Sequence, residues 1–540
     1  MVSFIKWNIK LDALLHDAKV SQKFSKNTSL LLPYNLVFLD LCIIVDLFRK
    51  QSLSCTIINY IGVAIGMFST LFIYPRDLAL YGIYGFLTNT ASILTPIVSL
   101  GFGVVLLKYF PYFKAVSSSK SRLVSFVICG YTVGIVFFIA AFYLLYPSII
   151  TYQMSLNQSI VPFLIFIPAF TVLYVIYDVV QVYSLAHFKM IFPTFLANLI
   201  KIILPVLFFC VIKGWINSNQ FIQALCIHYI CIIMALGLSL WYSGDMIEGL
   251  DSSFLKLPDM KEMIRFAMYS ILGGTSAVIA LRIDSMMVTS YLGTEANGTF
   301  ALAAFISNAA YIPASAISDI LNPRIAHILK EDDRDQLKKT YKISMINMLI
   351  PTLFLAGCVI LGFESLSKIM PQSEKVLLAF SSLVFLLFAR IVDASTGVNN
   401  HILSYSKYYK IEMVLMLFMA MINVGLNTLL IPKYGMMGAA IATFVSVAGF
   451  NICKTTIVLI KLGSQPFDMK WVELISIATL SFLAALSLPK IESPLYQIIF
   501  SSVSFAIIYI TLILWRKISP QLNNFLFRDL EKFTHFNSKS

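Results

Sequence analysis

Apolar residues run along this chain in long blocks separated by short polar breaks, from Leu53 to about residue 515. Most blocks hold roughly twenty or more mainly apolar residues, the length an α-helix needs to cross the hydrocarbon core of a bilayer. The pattern predicts about fourteen spans, at 53–75, 83–107, 123–146, 160–183, 191–212, 221–243, 263–291, 298–322, 344–366, 375–399, 409–431, 436–460, 471–489 and 494–515. The expected fold class is therefore all-α integral membrane.

Polar positions inside the spans are few, and the stretch Met263 to Lys330 holds several of them. Its first span carries Arg282 and Asp284 within the apolar run, and its second carries Asp319 near the far end, followed by Arg324. Charges at membrane depth are costly and normally face a bundle interior or a watery cavity. A solute pathway is one reading; mutual neutralisation that only holds helices together is the other.

Composition agrees with the span pattern: 59% of residues are hydrophobic and 12% charged, with a mean hydropathy of +0.83. Soluble domains carry about 25% charged residues. The net charge of +13 would suggest nucleic acid in a soluble protein. Here the basic residues sit in short loops and tails, where they orient the chain, and no nucleic-acid partner is expected. The inner segments of a cytoplasmic-N-terminus topology hold Lys108, Lys114, Lys120, Arg122, Arg324, Lys330, Arg334, Lys338, Lys339 and Lys342, among others. The outer loops hold Arg76, Lys213, Lys368, Lys375, Lys433 and Lys490. This asymmetry predicts both termini in the cytoplasm.

Residues 1–50 read as a cytoplasmic or interfacial extension, because basic flanks and two aspartates, Asp40 and Asp46, argue against a span there. No small-residue cleavage site follows its apolar run, so it is not a signal peptide. The rest divides into a first lobe of six spans (51–243), a second lobe of six (263–461), a final pair (471–515) and a cytoplasmic tail (516–540). The two lobes read as a duplication. Tyr81-Gly82 opens the second span and Lys108 follows Gly82 by 26 residues; Asn297-Gly298 opens the eighth and Arg324 follows Gly298 by 26. The offset is 216, and Asp178 and Asp393 fall 215 apart. Such repeats commonly enclose a midplane binding site.

The stretch NVGLNTLLIPKYGMMGAAIATFVS from Asn423 to Ser446 predicts a turn at Pro432 and Gly435, then a small-residue face at Gly438, Ala439, Ala440 and Ala442 for close helix packing. It resembles the polysaccharide-exporter branch of the MATE-like (MOP) flippase superfamily. NYIGVAIGMFSTLFIYP with the YGIYGFLTNT segment that follows, LRIDSMMVTSYLG, and ARIVDASTGVNNHILSYSKYYK resemble the same branch, so the resemblance covers about 51–517. It implies a V-shaped bundle of two six-helix lobes plus two C-terminal helices. The implied activity is translocation of a lipid-linked oligosaccharide (a polyprenyl-diphosphate glycan of the O-antigen type) across a bacterial cytoplasmic, inner membrane. Cavity cations in relatives engage the diphosphate or acidic sugars. The first span lacks the charge some relatives hold there, which leaves the coupling ion, H+ or Na+, open. The rivals are a cation-coupled MATE-type exporter, a peptidoglycan-precursor flippase, or a membrane glycan polymerase or ligase.

Among individual residues, Arg282 is the leading substrate-binding candidate. Asp284 is two residues away and does not face it on a helix. A guanidinium forks two bonds to a phosphate. The alternative is an interhelix pair with Asp178, Asp319 or Asp393. Arg390 and Asp393 are spaced to pair on their own helix, and Lys201 lies near the middle of the fifth span; both cations are candidates for the cavity. Asp178, Asp284, Asp319 and Asp393 are candidate coupling or structural acids. Lys454 is expected to snorkel to the inner interface and receives no role. Tyr174, Tyr177, Asn399 and Asn400 suit either sugar contact or packing. His228 and His401 do not suggest a metal. Asp333-Arg334-Asp335 matches a glycosyltransferase D-x-D but sits in the mixed-charge run EDDRDQLKK, and no phosphate-binding P-loop motif is present. No cofactor is expected. The cysteines lie singly in apolar runs, without a C-x-x-C pair, as small packing residues. A transporter acting as a monomeric unit among membrane lipids, and not an enzyme, is the expectation.

Overall fold

The computed structural model describes residues 34–113, 117–244, 251, 253, 254, 257 and 259–519. Most of the two expected tails, residues 1–33 and 520–540, lies outside the described residues. Everything described is helix or connecting turn, with no strand among the described residues. Thirteen helices are long and apolar enough to cross a membrane, or up to fourteen when one interrupted span is included. The chain is an all-α multi-pass membrane protein.

In chain order the helices are α1 (Tyr34–Phe72), α2 (Leu78–Val98), α3 (Phe102–Phe113), α4 (Ser117–Leu156), α5 (Ile167–Ala186), α6 (Ile191–Ile212) and α7 (Ser218–Tyr242). There follow α8 (Met260–Leu292), α9 (Thr294–Glu331), α10 (Arg334–Ile369), the short α11 (Ser373–Leu377), α12 (Ala379–Ser395) and α13 (Asn399–Tyr405). The last four are α14 (Tyr409–Tyr434), α15 (Met436–Leu462), α16 (Met469–Leu486) and α17 (Pro494–Trp515).

Four details differ from the sequence pattern. Helix α1 starts at Tyr34 and runs unbroken into the first span, because no glycine or proline falls between Asn35 and Ile61 to stop it. The second span is interrupted at Leu100 and Gly101, both with positive φ (50° and 70°). The tenth span ends at Ser395, and Gly397, at φ 56°, turns the chain into α13. Helix α14 continues through Pro432, and only Gly435, at φ 61°, ends it. The residues before Pro432 had no need to break, since local adjustment and neighbouring helices absorb proline in membrane helices.

Contacts divide the chain into two compact units: residues 1–69, 97–141 and 169–270, and residues 70–96, 142–168 and 271–540. In the first unit Arg122 bonds Asp251 at 3.2 Å, and Asn198 bonds Asn59 at 2.9 Å. Leu196, Ile232 and Leu236 form one of its buried clusters.

The second unit is built around α10, whose Tyr341, Met345, Leu349, Ala356 and Phe363 are buried among α9, α12, α16 and α17. Burial of apolar surface gives little drive between helices in lipid, so close approach through small residues carries more of the association. A Cβ on Gly357 would lie 2.5 Å from the Phe505 ring, which seats α17 on α10. A Cβ on Gly438 would lie 2.2 Å from the Leu430 carbonyl oxygen, which closes the α14–α15 hairpin.

The tightest approach joins α2 to α9. A Cβ on Gly82 would lie 1.7 Å from the Thr294 carbonyl oxygen, and one on Gly298 would lie 1.9 Å from the Leu78 carbonyl oxygen. Leu78 and Gly82 map onto Thr294 and Gly298 with the 216-residue offset of the repeat. The two contacts are thus the two halves of one self-complementary contact, of the kind a two-fold relation generates.

Candidate functional site

The second unit holds a cavity of about 560 Å³, lined from α2, α8, α9, α12, α13, α14 and α15. Its charged lining consists of Arg282, Arg390 and Lys454 against Asp284 and Asp393. Amides (Asn89, Asn308, Asn399, Asn400 and Asn451) and aromatic rings supply most of the remaining chemistry.

Arg282 is exposed on α8, and its Nη1 donates to Asn89 Oδ1 of α2 at 2.7 Å. Among the described residues of this unit no carboxylate lies within ion-pair distance of it; Asp319 and Asp393 are not its partners, and Asp178 lies in the other unit. Its one bond to a neutral amide leaves four guanidinium donors for a ligand.

Asp284, two residues on, points elsewhere and is 6% exposed. Its Oδ1 accepts from Asn427 Nδ2 at 2.7 Å and its Oδ2 from the Thr443 hydroxyl at 2.5 Å. Asn427 also donates to Asn423 Oδ1, and Asn427 Oδ1 is buried without a partner among the described residues. Among the described residues no cation pairs with Asp284. The result is a buried carboxyl surrounded by neutral oxygens and amides.

Arg390 and Asp393 pair on α12 at 3.1 Å, as their spacing allows. Arg390 also donates to Asn308 Oδ1 at 2.5 Å and stands 5.6 Å from the centroid of the Tyr311 ring. Asp393 accepts from Asn451 Nδ2 at 2.7 Å, and Asn451 Oδ1 accepts from Thr396 and Asn399 at 2.9 and 3.1 Å. Arg390 is therefore neutralised by a carboxylate and held by two partners, unlike Arg282.

Lys454 does not snorkel. It is 1% exposed, its Nζ donates to Asn400 Oδ1, and it lies 4.0 Å from the Phe450 ring centroid. Phe450 sits one turn before it on α15 and Asn400 on α13, so both hold the ammonium against the cavity. Sequence reasoning passed over Lys454 because a lysine near a span end usually reaches water. It also passed over Asn89, Asn427 and Asn451, whose only signal was an amide in an apolar run.

Asp319 is exposed and outside the cavity; its neighbour Ser318 lines it and bonds His401 Nε2 at 3.0 Å. Lys201 and Asp178 belong to the first unit. Lys201 Nζ donates to Asn198 Oδ1 at 2.8 Å, with no acid within ion-pair distance among the described residues of that unit. Asp178 accepts from the Tyr131 hydroxyl at 2.6 Å, beside Gly103, where a Cβ would lie 2.8 Å from that hydroxyl. Tyr174 bonds the Tyr229 hydroxyl at 2.9 Å. No cluster of histidine, cysteine, aspartate and glutamate suited to a metal occurs among the described residues.

No family model matches the chain. An uncharacterized membrane protein of Methanocaldococcus jannaschii is 28% identical over 209 residues, 37% of this chain and 46% of that protein, so the chain spans about half the length of the curated relative it matches. Among solved structures, the lipid II flippase MurJ in an inward closed conformation is similar with a TM-score of 0.66 at 15% identity, over 88% of this chain and 99% of that one. An inward-facing multidrug resistance MATE family transporter of the MOP superfamily is similar with a TM-score of 0.56 at 12% identity, over 74% and 98%. At these identities the likeness is one of fold: the chain has the fold of MOP-superfamily flippases and transporters.

Proposed function

We propose that the protein is a flippase that moves a polyprenyl-diphosphate-linked oligosaccharide across the cytoplasmic membrane, with both termini inside, for assembly of a surface polysaccharide. The observation that carries this reading is Arg282: a guanidinium in a membrane cavity whose partner is a neutral amide. A charge at this depth needs a counter-charge, and a diphosphate supplies one whose oxygens match the planar fork of the guanidinium. The amides and rings around it suit sugar hydroxyls and sugar faces. The acid in the same cavity that lacks a cation, Asp284, is the site for a coupling ion, a proton or sodium. Transport, and not an enzymatic reaction, is the activity this arrangement serves.

A peptidoglycan-precursor flippase is the second reading. It is favoured by the 88% of the chain that aligns with the lipid II flippase, against 74% for the MATE transporter. Both readings place a lipid diphosphate at Arg282. The test is binding of a purified lipid-diphosphate oligosaccharide to detergent-solubilised protein. Arg282→Ala is expected to weaken binding about 10- to 100-fold, the worth of a hydrogen bond to a charged group. Equal binding by wild type and Arg282→Ala rules the role out.

A further inference from the structure

A continuous run of side-chain hydrogen bonds leads away from Arg282. Its Nη1 donates to Asn89 Oδ1 at 2.7 Å; Asn89 Nδ2 donates to Ser285 Oγ at 2.9 Å; Ser285 Oγ donates to Asn297 Oδ1 at 2.7 Å. Asn297 Nδ2 then donates to the Gly82 carbonyl oxygen at 2.9 Å. Every member lies in the second unit. Asn297 is 0% exposed and Ser285 is buried, so water does not substitute for either.

The direction of each bond is set from Arg282, which only donates, and equally from the Gly82 carbonyl, which only accepts. A guanidinium has donors and no acceptor, so Asn89 must turn its oxygen toward Arg282 and its NH2 toward Ser285. The serine hydroxyl, having accepted, passes its own proton on to Asn297 Oδ1. That leaves the Asn297 NH2 to hold the Gly82 carbonyl. Gly85 leaves the room this needs: a Cβ there would lie 3.2 Å from Asn297 Nδ2 and 3.7 Å from Ser285 Oγ. The run ends at the α2–α9 crossing, where Gly82 and Gly298 allow backbone to touch backbone.

We propose that Asn89, Ser285 and Asn297 are positioning residues, a relay through which the state of Arg282 sets how tightly α2 and α9 cross. The proposal rests on the flippase reading. An anion that takes Arg282 away from Asn89 removes the charged donor that polarises the run. The Gly82 carbonyl still holds the direction of Asn297 and Ser285, but each bond of the run loses the cooperative strengthening that Arg282 supplied, and the bond to the Gly82 carbonyl weakens. Ligand capture in the cavity is thereby converted into release of a helix crossing.

The test is a double-substitution cycle read by amide hydrogen exchange of segments 78–86 and 294–301 in the full-length protein. Asn297→Ala is expected to speed exchange there about fivefold, as for loss of one hydrogen bond, and Arg282→Ala to speed it by a smaller but measurable factor. The double variant is expected to be no faster than Asn297→Ala alone, because both act on the same run. Ser285→Ala, a small change in the middle of the run, gives the same effect with the least disturbance of packing. Additive effects, or an Arg282→Ala protein with wild-type exchange at the crossing, overturn the proposal. Farnesyl diphosphate is the ligand arm. Binding accompanied by faster exchange in wild type, and by no further change in Asn297→Ala, supports the relay; binding without faster exchange overturns it. A farnesyl diphosphate that does not bind counts against the diphosphate reading of Arg282, and the cycle alone then decides the relay.

Discussion

Arg282 and Arg390 sit in the same cavity and differ in what they already hold. Arg390 has a carboxylate at 3.1 Å and an amide, whereas Arg282 has only an amide. Removing Arg282 leaves no orphaned buried acid, so Arg282→Ala is expected to keep normal abundance while losing function, and Arg282→Lys to restore part of it by keeping the charge without the fork. Lys454 is expected to behave oppositely. Lys454→Met removes a buried ammonium whose partner Asn400 is exposed, and should destabilise the protein by the net worth of one hydrogen bond to a charged group, about 1.5–3 kcal/mol. A lowered melting temperature in detergent checks this, and an unchanged one contradicts the buried geometry. Arg282 was legible in the sequence because a charge in an apolar run stands out. The amides that position it were not, since asparagine in a span serves packing as often as function, and only the fold brings Asn89 to Ser285 across 196 residues.

Helices were legible as apolar blocks, and their interruptions were not. The turn after the tenth span depends on Gly397, which has φ 56° and no room for a Cβ beside Ser344 Oγ at 2.7 Å. Nothing in the apolar pattern separates that glycine from Gly425 or Gly449, which have nothing within reach of a Cβ. The repeat did mark the α2–α9 crossing, because Gly82 and Gly298 recur with the same offset as Leu78 and Thr294. Gly82→Ala and Gly298→Ala are each expected to destabilise the protein by about 1–3 kcal/mol or to force the helices apart, since the new methyl meets backbone that has little freedom to move. Thermal unfolding in detergent reads this effect. Gly425→Ala, with open space around it, serves as the control and is expected to be neutral or mildly stabilising.

For the whole molecule, the fold is that of flippases and transporters, and the proposed function puts a ligand at Arg282 and a coupling ion at Asp284. Asp284→Asn keeps the shape of the site and an acceptor for Asn427, turns the bond to Thr443 round so that its hydroxyl accepts, and removes the charge. It is expected to leave ligand binding intact and to abolish the response of transport to an imposed proton or sodium gradient; a gradient response in Asp284→Asn vesicles contradicts the coupling role. The central claim is translocation of a lipid-diphosphate glycan, and the most direct measurement is its movement between leaflets. Purified protein is reconstituted into liposomes containing a fluorescent polyprenyl-diphosphate oligosaccharide, and the fraction reached by a membrane-impermeant quencher is followed in time. Wild-type vesicles are predicted to equilibrate the glycan far faster than protein-free vesicles, with Arg282→Ala vesicles at the protein-free rate. Wild-type vesicles no faster than protein-free ones, or Arg282→Ala vesicles as fast as wild type, would contradict the account.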